Sequence, residues 1–195
     1  MERTIATNML YNIPNILTYL RILAVPLLAA CFYLEGDLAH WLALLVFVLA
    51  AITDFFDGYL ARVWDQQSAL GRMLDPIADK LLVSVVLLML VHSGSITGLH
   101  VWAAIIILCR EILVSGLREF LAELQVTVHV TQLAKLKTTG QMVALGFLLA
   151  GSAGDKIFAY TSQMGLVLLW AAALLTIYTG YDYFRAGINH VINSK

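Results

Sequence analysis

Residues 54–80 read DFFDGYLARVWDQQSALGRMLDPIADK, and this stretch decides how the rest of the chain is read. It places paired aspartates and three basic residues, Arg62, Arg72 and Lys80, between two long apolar runs. The chain around it has 195 residues, 61% of them hydrophobic and 13% charged, with mean hydropathy +0.83. Soluble domains hold roughly 45–50% apolar residues. The composition therefore predicts an integral membrane protein and excludes an ordinary soluble enzyme. Charge concentrated in one such stretch needs a reason.

Outward from this stretch the sequence alternates between apolar runs and short polar breaks. A membrane-crossing helix needs ~20 mainly apolar residues. Six segments qualify, at 16–33, 39–61, 73–92, 99–120, 133–151 and 157–184. Breaks at EGD, HSGSITG and GSAGD carry glycine and serine turn chemistry. The expectation is all-α: one membrane domain over residues 1–195, a six-helix bundle with a short juxtamembrane segment at 1–13. That segment reads either as an interfacial helix with Met9, Leu10 and Tyr11 at the surface or as a disordered tail. It is too polar and too interrupted by proline for a signal peptide. Cys31 and Cys109 lie inside apolar runs without metal-ligand spacing, so neither a disulfide nor a zinc site is expected.

The net charge of −1 conceals a strong asymmetry. If the six segments cross alternately, one side receives Arg3, Arg62, Arg72, Lys135, Lys137, Arg185 and Lys195. Arg21, Lys80, Arg110 and Arg118 lie nearest to that side, and only Lys156 falls on the other. Cytoplasmic loops are enriched in Lys and Arg, so both termini and the 62–72 loop are expected inside. His40, His92 and His100 fall at outer helix ends, where Trp41, Trp102, Tyr160 and Trp170 form an aromatic belt. His129 and His190 read as solvated, and none of the five histidines belongs with the acids.

A charged residue at a helix centre costs roughly 2.5–3.5 kcal/mol, so the aspartates must face inward near the cytoplasmic end. Asp54 and Asp57 are three apart, and Asp75 and Asp79 four apart, so each pair shares one helix face. Both pairings, 54 with 79 and 57 with 75, centre near Gln66. A hairpin turning there brings the four carboxylates to similar depth. Like charges so gathered take up protons unless cations neutralise them. Hard oxygen donors without His or Cys point to Mg²⁺ or Mn²⁺. Gly58, Ala61 and Gly71 remove bulk beside the acids, and Arg62 supplies a donor fork suited to phosphate. Metals held by carboxylates commonly share substrate phosphates. Together these features suggest diphosphate chemistry.

The stretch is similar to the signature of the CDP-alcohol phosphotransferases, D-x2-D-G-x2-A-R-x8-G-x3-D-x3-D. It is matched here by Asp54, Asp57, Gly58, Ala61, Arg62, Gly71, Asp75 and Asp79. The resemblance implies a six-helix enzyme of the bacterial inner membrane that transfers a phosphatidyl group from CDP-diacylglycerol to an alcohol and releases CMP. It implies divalent metal, two ions, held by the four aspartates, with Asp79 also the general base. It further implies a homodimer. Gly140, Ala144 and Gly146 could serve a helix interface or pack within one subunit. The segments NIPNILTYLR (12–21), REILVSGLREFLAE (110–123) and KLKTTGQMVAL (135–145) resemble the branch of the family whose acceptor is glycerol 3-phosphate.

Glycerol 3-phosphate needs cations of its own, and Arg110, Arg118, Lys135 and Lys137 are the expected set. Arg110 lies deep enough in its helix to need a partner, and its neighbour Glu111 is expected to point away from it. Asn15, Thr18 and Arg21, at helical spacing, are expected beside the diphosphate of the CDP-lipid. Two other readings stand open. One is the same chemistry with phosphatidylglycerol, inositol phosphate or serine as acceptor. The other is a cation channel or transporter built on intramembrane acids.

Overall fold

The computed structural model describes residues 13–63, 69–124 and 132–193, and within them every regular element is an α-helix. The six helices are α1 Ile13–Cys31, α2 Asp37–Val63, α3 Ala69–His92, α4 His100–Glu123, α5 Gln132–Asp155 and α6 Thr161–Asn193. Each expected apolar segment coincides with one helix. The juxtamembrane segment before Ile13 lies outside the described residues.

Helix ends differ from the hydropathic boundaries for a physical reason. α3 begins at Ala69 rather than Met73, and α6 continues to Asn193 rather than stopping near Phe184. Hydropathy marks the part suited to lipid, whereas helical hydrogen bonding continues into polar turns. The GSAGD break does not end α5. The helix kinks at Gly151 (φ 47°, ψ −134°), a backbone geometry open to glycine, and resumes to Asp155. The chain then turns through 156–160, where Tyr160 has φ 73°. Asp155 closes this turn by accepting from the Ser162 backbone N–H at 2.9 Å and from its hydroxyl at 2.6 Å. These two bonds hold the Asp155 carboxyl below its usual pKa.

Among the described residues, three helices are long and apolar enough to cross a membrane, over Asp37–Asp54, His100–Ala122 and Thr161–Tyr181. α1 contributes a shorter apolar stretch, Asn15–Cys31. α3 is interrupted by Arg72, Asp75, Asp79 and Lys80, and α5 opens on Lys135, Lys137 and Gln141. Large apolar side chains are exposed along the spanning helices, among them Leu45, Leu49, Trp102, Ile112, Val167 and Leu174. Exposed apolar surface of that extent suits lipid rather than water.

The chain forms two compact units, Met1–Met89 and Leu90–Lys195. In the first, α1 packs on α2. The buried face of α2 runs Ala39, Ala43, Phe47, Ala50 and leads on to Asp54. Its alanines let the neighbouring backbone approach closely. The buried stripe of α1 changes character along its length: Asn15, Thr18 and Arg21 first, then Val25, Leu28 and Cys31. Helical spacing of three and four puts all six on one face. Thr18 meets Asp75 and Arg21 meets Asp79, so α1 and α3 run in the same direction.

The second unit repeats this logic. α6 packs on both α4 and α5. His100 accepts a hydrogen bond from the Trp170 indole at 3.1 Å, and Arg110 donates to Thr179 at 3.2 Å. These two pairs advance together, which makes α4 and α6 parallel. α5 runs against α6, because a Cβ on Gly154 would meet Thr161 while one on Gly165 would meet Leu148. The stripe of α5 also starts polar, at buried Lys137 and Gln141, and continues through Ala144, Leu145 and Leu148.

Candidate active site

The polar end of the α1 stripe supplies partners for the acids. Arg21 is 1% exposed, and its Nη1 lies 2.7 Å from Asp54 Oδ1 and 2.9 Å from Asp79 Oδ1. One nitrogen therefore joins the acid of α2 to the second acid of α3. One turn earlier, the Thr18 hydroxyl donates to Asp75 Oδ1 at 2.5 Å. Asn15, another turn back, is buried on the same face. The structure thus brings Asp54 and Asp79 together, as the hairpin argument expects, and adds α1 as the element holding them.

The energetics explain why this arrangement persists in an apolar helix bundle. An isolated buried guanidinium is costly, and removing one partner of a buried pair costs roughly 3–5 kcal/mol. Here Arg21 is enclosed while the side chains of Asp54 and Asp79 remain 45% and 50% exposed. The carboxylates thus keep open surface while their shared cation is sealed behind them.

That exposure bears on metal binding. Among the described residues no group of three or more His, Cys, Asp or Glu side chains forms a ready cage. The donors present are nevertheless hard carboxylate oxygens, held close and half open, which suits a hard divalent cation rather than a softer ion. Asp54, Asp75 and Asp79 are the described side chains able to hold such an ion. Asp57, Gly58, Ala61 and Arg62 belong to α2 and Lys135 to α5, and only their backbone is described. Gly71 is buried near the start of α3.

The expected acceptor cations belong to the second unit. Lys137 is 3% exposed and pairs with Glu111 of α4. Arg110 and Arg118 both act electrostatically on Lys137, and Lys137 and Arg110 share the Glu111 carboxylate. Arg118 is exposed. Arg110 Nη1 reaches Glu111 Oε1 at 3.5 Å, which corrects the expectation that sequence neighbours point apart. The Cβ directions do diverge, but the arginine side chain is long enough to fold back. Arg110 also lines a cavity of about 600 Å³ between α4 and α6, with Cys109, Tyr181 and Arg185 on its walls.

Two polar residues have places in the structure that the sequence reading missed. Glu111 is the anionic partner of Lys137, and only the α4–α5 contact reveals it. Gln141, one turn after Lys137, is 2% exposed with its Oε1 unbonded in the structure. A polar position one turn from a lysine was the available clue.

Over residues 11–178 the sequence matches the family of CDP-alcohol phosphatidyltransferases. It is similar to the CDP-diacylglycerol–glycerol-3-phosphate 3-phosphatidyltransferase of Rickettsia bellii, 51% identical over 175 residues, or 90% of this chain and 94% of the relative. The protein of that name from Cereibacter sphaeroides is 42% identical over 219 residues, covering 95% and 99% of the two chains. That from Salmonella choleraesuis is 39% identical over 183 residues, covering 91% and 96%. The match spans five of the six helices completely or nearly so and includes both arms of the acidic hairpin. This chain belongs to the CDP-alcohol phosphatidyltransferase family.

Proposed function

We propose that this protein transfers the phosphatidyl group of CDP-diacylglycerol to a hydroxyl of sn-glycerol 3-phosphate, giving phosphatidylglycerophosphate and CMP. It is then a phosphatidylglycerophosphate synthase of anionic phospholipid biosynthesis. The observation that carries the reading is the gathering of Asp54 and Asp79 on Arg21, with Asp75 beside them on Thr18. The names and coverage of the relatives support the choice of donor and acceptor.

In this reading Asp54, Asp57, Asp75 and Asp79 hold two divalent ions, Mg²⁺ or Mn²⁺. Bound there, the ions would neutralise the diphosphate and stabilise the departing CMP. Gly58, Ala61 and Gly71 leave room for the CDP-lipid, and Arg62 binds its phosphate, with Asn15, Thr18 and Arg21 lining the same end of α1. Asp79 accepts the proton of the attacking hydroxyl. The hydroxyl oxygen bonds to the phosphatidyl phosphorus while the bond from that phosphorus to the CMP oxygen breaks. Arg110, Arg118, Lys135 and Lys137 take the acceptor's phosphate, a role supported by Arg110 and Lys137 sharing the single carboxylate of Glu111 while Arg118 acts electrostatically on Lys137.

The whole chain acts as one membrane domain. α1, α3 and α5 cross the bilayer in addition to the three longer spans, with both termini and the active site on the cytoplasmic side of a bacterial inner membrane. The protein works as a homodimer. The test is CMP release from CDP-diacylglycerol by purified protein given Mg²⁺ or Mn²⁺ and, separately, glycerol 3-phosphate, phosphatidylglycerol, inositol phosphate or serine. Release with glycerol 3-phosphate alone is expected. Release with another alcohol but not with this one would reassign the acceptor, and metal flux into vesicles without CMP would point to a transporter.

A further inference from the structure

Arg21 has a property that its expected contact with a diphosphate does not explain. Its side chain is 0% exposed, and its Nη1 sits between two carboxylate oxygens at 2.7 and 2.9 Å. The buried stripe of α1 that carries it continues through Val25 and Leu28. The acids it contacts are half open, so they are the partners with freedom to turn and the guanidinium is not. A full positive charge held at this position offsets the mutual repulsion of Asp54 and Asp79. It also repels any second cation that approaches the same oxygens.

We propose that Arg21 is a built-in counter-cation of the acidic site: it balances Asp54 and Asp79 when no divalent ion is bound and competes with that ion for them. Loading the site then requires one or both carboxylates to turn their Oδ1 from Nη1 toward the incoming ion. Thr18 assists in the same sense, because its hydroxyl holds Asp75 on α1 until that acid is needed. Affinity for the ion is thereby set below what the bare acids would provide, and the empty site stays folded without it. The inference rests on the metal reading above.

The test measures Mn²⁺ binding to the purified protein without substrate, by electron paramagnetic resonance of free Mn²⁺, together with thermal unfolding in chelator and in Mn²⁺. Arg21→Gln removes the charge and keeps an amide donor. It is expected to bind Mn²⁺ about tenfold more tightly than wild type, to unfold at lower temperature in chelator, and to gain more from Mn²⁺ than wild type does. Arg21→Lys keeps the charge and is expected to bind Mn²⁺ within about threefold of wild type. Unchanged or weaker binding by Arg21→Gln would overturn the proposal, as would equal tightening by both variants. Should Arg21→Gln unfold in chelator, Mn²⁺ must restore its fold; a variant that stays unfolded with the ion also overturns it. Absence of Mn²⁺ binding by wild type would instead defeat the metal reading itself.

Discussion

Asp79 carries two roles in the proposed reaction, and a single substitution separates them from packing. Asparagine preserves its volume and an oxygen for Arg21 but removes the charge and the proton acceptor. Asp79→Asn should lower turnover by about 10²–10⁴-fold while CDP-diacylglycerol binding is largely retained. CMP release and lipid binding measured side by side check this, and wild-type turnover would remove Asp79 as the base. Arg118 is exposed yet acts on buried Lys137. Arg118→Ala should raise the KM for glycerol 3-phosphate about tenfold, the value of one charge-assisted hydrogen bond, and leave that for CDP-diacylglycerol nearly unchanged. Equal effects on both substrates would refute its acceptor role. At this scale the acids were legible because their spacing is helical, and Arg21 was legible as sharing helical spacing with Asn15 and Thr18. Its partners were not, since Asp54 and Asp79 are reached only across helix contacts.

The helices themselves are marked in the sequence by apolar runs, and their close contacts depend on which small residues meet. Gly165 of α6 faces Leu148 of α5, where an added Cβ would lie 2.8 Å from Leu148 Cγ and 3.1 Å from its backbone nitrogen. The backbone cannot yield cheaply, so Gly165→Ala should destabilise the fold by about 1–3 kcal/mol. Gly140 of α5 has nothing within 4 Å of an added Cβ, so Gly140→Ala should be neutral or gain a few tenths, up to about 1 kcal/mol, from helix propensity. Thermal unfolding of both variants in one detergent compares them directly, and equal stability would show that α5 and α6 separate more readily than their spacing implies. The same element shows why GSAGD misleads. Glycine there permits a kink at Gly151, while Asp155 and Ser162 place the turn after it. Composition marks where the chain can bend, and hydrogen bonding decides where it turns.

Across the whole molecule, the charge asymmetry makes a topological prediction. In a variant lacking Cys31 and Cys109, cysteines replacing exposed Glu35, Thr97 and Lys156 should react with an impermeant maleimide on the outer side of spheroplasts. Cysteines at Arg3 and Lys195 should react only after permeabilisation. Labelling of Glu35→Cys and Lys156→Cys from the cytoplasmic side alone would overturn the six-span arrangement and leave the three longer helices as the spans. The sequence alone determined that this is a helical membrane protein with acids paired on two helix faces, because periodicity and hydropathy are local properties of a chain. Tertiary structure alone decided that α1 holds those acids through Thr18 and Arg21, that α1 runs with α3 and α4 with α6, and that Lys137 answers to Glu111. Those pairings join residues far apart in sequence, and only the packing of whole helices selects them.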